Sequence, residues 1–244
     1  MGGAVIIPLL HLAYMKTTSN KDYWTPASRA VPLPYARALA LSLLFGYLLP
    51  TIALYVPWSN VFTSQGYIAL WQPVPWLVNI LLVILSTLFS LNQSNRKTGP
   101  EGSTADVPYL QRVYLFSFFV AASAHWFAIA ACLLSKDPNV TFAHAFLPRK
   151  DLFLRTGTIS TMQEGLLYIF QIDYWVIFGS SLVWAYLAIL DTNRAAGTYV
   201  PPVKALSVMI LNTILFGPAA TLAAIWYSRE GTLAGLQTAK AKAK

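Results

Sequence analysis

The sequence predicts an all-α protein, a polytopic transmembrane bundle with about five spanning helices. Three observations carry that expectation. Hydrophobic residues make up 56% of the 244 residues and charged residues only 11%. A soluble domain carries about 25% charged residues, so this chain lacks the polar groups to cover a solvated surface. The charges cluster between apolar blocks, and none occurs from Ala38 to Asn92. Finally, the apolar runs are continuous, without the period-two alternation of a membrane barrel. In lipid such a run satisfies its backbone groups internally, as a helix.

A hydrocarbon core of about 30 Å takes about 20 helical residues. Runs at 38–58, 67–91, 110–135, 165–190 and 205–227 reach that length and define a transmembrane domain over 38–227. Trp58, Tyr67, Trp71, Tyr109, Trp226 and Tyr227 mark its helix ends, as an interfacial belt does. Pro50, Pro73, Pro75 and Pro218 fall inside the runs and should kink a helix or open its ladder, unless they are simply tolerated there. Residues 1–37 precede this domain. Ala4–Met15 is apolar but short, and reads as re-entrant, interfacial or the remnant of a further helix. No basic residue precedes it, so it matches a cleaved leader poorly. Lys16–Arg37 holds Pro26, Pro32 and Pro34 and should be irregular.

The connections differ in kind. Asn92–Pro108 is polar and rich in turn formers. Lys136–Gln163 mixes charges with Phe142, Phe146, Leu152 and Phe153, and either lies on the membrane surface or folds over the bundle as a lid. Residues 228–244 form a basic tail, whose last six residues, AKAKAK, are expected to be disordered. Basic residues divide nine to eight between the two sides of a five-span topology, so orientation stays open. The net charge of +8 sits in short loops and the tail, without a folded basic face, so nucleic acid is not an expected partner. Membrane lipid and a hydrophobic small molecule are. One cysteine, Cys132, excludes an internal disulfide.

Polar residues at membrane depth are the informative ones. Asp173 lies about 6 Å from the middle of the fourth run, at 1.5 Å per residue. A carboxylate there costs about 2.5–3.5 kcal/mol on insertion scales. Desolvation favours its neutral form, and a protonated carboxyl is a general acid. The alternative is a structural Asp bonded to a neighbouring helix. His125 is central in the third run, Asn79 in the second, and Asn212 lies within about two turns of the centre of the fifth. Each alone suits a packing hydrogen bond; together they suggest a shared site, in which His125 orients or reprotonates Asp173 and the two asparagines position a substrate oxygen. Glu164 and Gln171 share one helix face, and Asp173 lies roughly opposite Glu164, so the carboxyls form no dyad on that helix. Glu164 is read as a dipole-stabilised first-turn acid and a further catalytic candidate. Trp126, Tyr174 and Trp175 are candidate cavity walls, since aromatic faces attract a developing cation. P-loop, HExxH, GxSxG, Cys/His zinc and DDxxD patterns are absent, so neither metal nor cofactor is expected.

The stretch from Ala124 to Asp191, with AHWFAIAACLLSKDPNVTFAHAFLPR and LLYIFQIDYWVIFGSSLVWAYLAILD, resembles small membrane proteins of fungal secondary metabolism. These are the membrane-bound terpene cyclases of ascofuranone-type meroterpenoid pathways and the related epoxide-opening hydrolases of aurovertin- and citreoviridin-type polyene pathways. The resemblance covers the C-terminal half and extends to LNTILFGPAATLAAIWYSRE. It implies an integral-membrane enzyme, in the endoplasmic reticulum, that protonates an epoxide or alkene of a hydrophobic terpenoid or polyketide and so closes a ring. An exporter of the same metabolite and a non-catalytic scaffold for pathway enzymes are the alternatives. Substrate, ring and oligomeric state are not specified by the sequence.

Overall fold

The computed structural model covers residues 2–19, 23, 30–91, 104–150, 154, 157–159 and 161–242, with side chains as far as residue 236. It is all-α, with no strand among the described residues. The helices are α1 (Gly3–Thr18), α2 (Leu33–Tyr55), α3 (Val61–Trp71), α4 (Val74–Leu91), α5 (Val107–Leu134), α6 (Phe142–Phe146), α7 (Met162–Ala195), α8 (Pro202–Phe216) and α9 (Pro218–Lys242). Four of them, α2, α4, α5 and α7, are long and apolar enough to cross a membrane; α8 is apolar but shorter.

Two of the five expected spans are broken. The run at 67–91 divides into α3 and α4 at Gln72 and Pro73, because Pro73 and Pro75 each lack an N–H and crowd the carbonyl four residues back. The run at 205–227 divides at Gly217, whose φ is +86°. The tail differs too. Residues 239–242 of the AKAKAK end continue α9, since Ala and Lys are good helix formers. Leu152 and Phe153 of the expected lid, Pro26 of the expected irregular segment, and most of the 92–108 connection lie outside the described residues.

One compact unit comprises 25–116 together with 237–244. There α2 packs on α4, and Gly46 allows the approach: a Cβ on it would stand 2.9 Å from Val78 Cα. Leu44–Leu48 is a π-turn just ahead of Pro50, the local widening that relieves a proline inside a helix. Asp106 Oδ2 accepts from the Val31 amide at 2.9 Å.

The second unit comprises 1–24 and 117–236. The N-terminal segment, short as expected for a span, is a 16-residue helix lying along α7. Gly3 permits the approach, since a Cβ there would meet Ile177 Cδ1 at 2.5 Å. α7 begins at the N-cap Thr161, whose Oγ1 accepts from the Glu164 amide at 3.2 Å. It ends at Gly197, with φ +67°. Buried positions in this unit are mainly small, among them Ala185, Ala205, Ala220, Ser181 and Thr221. Large apolar side chains face outward, Phe127 77% and Ile214 65% exposed. Small residues at helix contacts with oily residues outside are the pattern of helices packed in lipid.

Candidate active site

Within the second unit, α7, α8 and α9 line a half-open cavity of about 340 Å³, at the small end of the range for ligand pockets, about 300–1,000 Å³. Its wall is largely apolar, with Ile189, Val208, Met209 and Ile225, and two polar ends. One end carries Asn212 of α8 and Thr221 of α9. The other carries Lys204 of α8 and Arg229 of α9. On each helix the two positions are eight residues apart, so the ends are separated by about 12 Å.

The Asn212–Thr221 end is closed by the break between α8 and α9. Pro218 cannot donate to Ile214, four residues back. His125 of α5 replaces the missing donor, its Nε2 lying 3.3 Å from the Ile214 carbonyl oxygen. The carbonyl accepts, so this nitrogen carries the proton. The imidazole lies directly on Gly217: a Cβ there would stand 2.8 Å from Cγ and Nδ1 of His125. Thr221 Oγ1 donates to the Gly217 carbonyl at 2.9 Å and accepts from Thr213 Oγ1 at 3.4 Å. Asn212 Nδ2 donates to Val208 O at 2.8 Å, which leaves its side-chain carbonyl as an acceptor toward the cavity wall it lines.

The opposite end rests on a buried network. The Arg229 side chain is 6% exposed. Its Nη1 meets Glu230 Oε1 at 2.6 Å, and its Nη2 donates to Tyr23 Oη at 2.7 Å and to Tyr14 Oη at 3.3 Å. The two tyrosine hydroxyls are hydrogen-bonded to each other. The guanidinium also lies 4.7 Å from the Trp226 ring centroid, a cation–π contact. Burial pushes the Tyr14 hydroxyl above its ordinary pKa, against the opposing charge of Arg229. Trp184 joins this cluster, stacked on His11 at 4.5 Å and edge-on to Tyr14 at 5.0 Å.

Of the residues singled out in the sequence, Asn212 is the one in the cavity wall among the described residues. Asp173 sits 16 residues, about 24 Å, before Ile189 on α7. Its Oδ1 accepts from the Ala4 amide at 3.0 Å, at the start of α1. Asp173 is thus bonded to a neighbouring helix and does not line this cavity. His125 and Asp173 share no hydrogen bond; each has its own partner. Asn79 donates to Pro75 O within its own helix at 2.7 Å. Glu164 is the first-turn acid expected, and it meets Arg149 at 3.5 Å. Gln171 and Trp175 anchor α6: Gln171 Nε2 donates to His144 O and Trp175 Nε1 to Phe146 O, both at 2.7 Å. Tyr174 packs edge-on to Phe146, and Trp126 edge-on to His125. Lys204, Thr221 and Arg229 were not singled out. Arg229 and Glu230 follow Trp226 and Tyr227 after one residue, Ser228, so they read as the start of a basic tail; adjacent opposite charges at a membrane edge were the available signal.

The sequence matches the CtvD domain family over residues 1–234. This chain belongs to the CtvD domain family. Curated proteins similar to it include "Terpene cyclase ascI" of Acremonium egyptiacum, 26% identical over 76% of this chain and 47% of that protein. "Terpene cyclase ctvD" of Aspergillus terreus is 30% identical over 75% of this chain and 51% of its own length. A third, "FAD-dependent monooxygenase BOA8" of Botryotinia fuckeliana, is 20% identical over 96% of this chain but only 29% of that protein. The chain thus spans about half the length of the two curated cyclases. No solved structure matches it.

Proposed function

We propose that this chain is an integral-membrane cyclase of fungal secondary metabolism, located in the endoplasmic reticulum, that opens an epoxide on a hydrophobic terpenoid or polyketide and closes a ring. Membership of the CtvD family along nearly the whole chain carries the reading, and relatives named terpene cyclase support it. The cavity supplies a place for an oily substrate. A relative named as a flavin monooxygenase fits the same chemistry, since such an oxidant can introduce the epoxide.

In this proposal the epoxide oxygen lies at the Asn212–Thr221 end. His125 of α5 packs on the turn that closes that end, and in this proposal it supplies the proton. As imidazolium it donates through Nε2 to Ile214 O and holds a second proton on Nδ1. The epoxide C–O bond breaks as its oxygen takes that proton. An internal hydroxyl oxygen forms the new C–O bond, and its proton returns to the imidazole. The product is then an isomer of the substrate; attack by water gives a diol instead. Asp173, the general acid expected from the sequence, is here assigned to holding α1.

The test is incubation of protein-containing membranes with an epoxidised prenylphenol and an epoxidised polyene, read by mass spectrometry. A product of unchanged mass and new retention, absent from control membranes, is expected. Movement of unaltered substrate across the vesicle wall would favour the exporter, and unchanged substrate on both sides the scaffold.

A further inference from the structure

We infer that the Lys204–Arg229 end of the cavity binds the anionic head of the substrate, so that the ligand is an amphiphile bearing a carboxylate or phenolate about 12 Å from its reacting group. This rests on the reading that the cavity holds the substrate. Two cations line this end, and the cavity wall contains no carboxylate among the described residues. The charge of Arg229 is balanced by Glu230. Lys204 has no carboxylate within ion-pair distance among the described residues, and it lies in the first turn of α8.

Arg229 is also fixed in place. Glu230, the two tyrosines and Trp226 hold the guanidinium, so this positive end of the cavity is preorganised. Between the ends the wall is Val208, Met209 and Ile225, which suits hydrocarbon. Asn193, Ser228 and Thr232 line the cavity near the cationic end; the Thr232 hydroxyl donates to the Ser228 carbonyl, and Asn193 and Ser228 add polar groups for an oxygen-bearing head.

The probe is bromoundecanoic acid, with its methyl ester as the uncharged control, titrated into the full chain in a non-ionic detergent and read by quenching of tryptophan fluorescence. The acid should bind about tenfold more tightly than the ester, the gain of one charge-assisted contact. Lys204→Gln should remove most of that preference. Arg229→Lys keeps the charge beside Glu230 and should retain part of it, whereas Arg229→Gln should abolish it. Equal binding of acid and ester by the wild type would overturn the inference, as would an unchanged preference in Lys204→Gln and Arg229→Gln together. Phosphatidic acid displacing the probe more strongly than undecanoic acid would make the occupant a lipid and would also overturn it. Asn212→Ala separates the two readings. It should lower turnover and leave the acid-to-ester ratio intact, so a preserved ratio with no cyclisation by the wild type defeats only the proposed reaction.

Discussion

Gly217→Ala tests how the end of the cavity is built. Gly217 has φ +86° and ψ +161°, a region that only glycine occupies readily, with a cost of about 1–3 kcal/mol for other residues. The new Cβ would also stand 2.8 Å from the His125 ring, a contact that must be relieved by moving the imidazole. Overpacking of this kind costs about 1–3 kcal/mol. The sum is about 2–6 kcal/mol, read from unfolding titrations in mixed detergent and SDS. The two parts separate in a double-mutant cycle. His125→Ala removes the clash but leaves the backbone cost, so Gly217→Ala should be milder by about 1–3 kcal/mol in that background. Displacing the imidazole from Ile214 should also reduce turnover in the single variant by more than its loss of folded protein explains. A Gly217→Ala protein with wild-type stability, or no coupling to His125, would refute this account of the turn.

The other contacts give independent tests. Asp173→Ala and Ala4→Pro remove the two halves of one bond; each should weaken α1 docking by about 0.5–2 kcal/mol, the range for a helix-end cap, and the double variant should be no worse than one single by hydrogen exchange. Burial lowers the His11 pKa below its ordinary value, so the unfolded chain binds the proton better and the docking of α1 should weaken as pH falls below about 6.5. Amide exchange in α1 at pH 7.5 and 5.5 measures this, and His11→Phe should flatten the difference. Replacing Gln171 by Ala and Trp175 by Phe removes the donors to His144 and Phe146, and limited proteolysis should then cut near 142–146 faster than in the wild type.

The helical class was legible because continuous apolar runs leave the backbone one way to satisfy itself in lipid. Glu164 was legible as a first-turn acid because its place ahead of the fourth apolar run is local in sequence. Pro218 was not. A lone proline is often tolerated in a membrane helix, and the break depends on Gly217 taking a positive φ and on His125 arriving from α5 to satisfy Ile214. Asp173 shows the same limit. Its depth follows from one helix, but its partner is an amide 169 residues earlier in the chain. Asn79 and Asn212 sat at similar depth in sequence, yet each satisfies a carbonyl of its own helix four residues back, an outcome that depth alone does not distinguish from a shared site. Arg229 escaped notice because two tyrosines from the N-terminal segment desolvate it, and nothing near it in sequence announces them.

The central claim is that the reaction occurs at the Asn212–Thr221 end of the cavity, with His125 as the proton donor. Turnover of an epoxidised substrate by His125→Phe, Asn212→Ala and Asp173→Asn membranes, each normalised to folded protein, tests it most directly. The account predicts that the first two lose at least about 100-fold, the usual scale of a lost general acid, while Asp173→Asn stays within a few-fold of wild type. An inactive Asp173→Asn beside a fully active His125→Phe would contradict it and return the acid to α7.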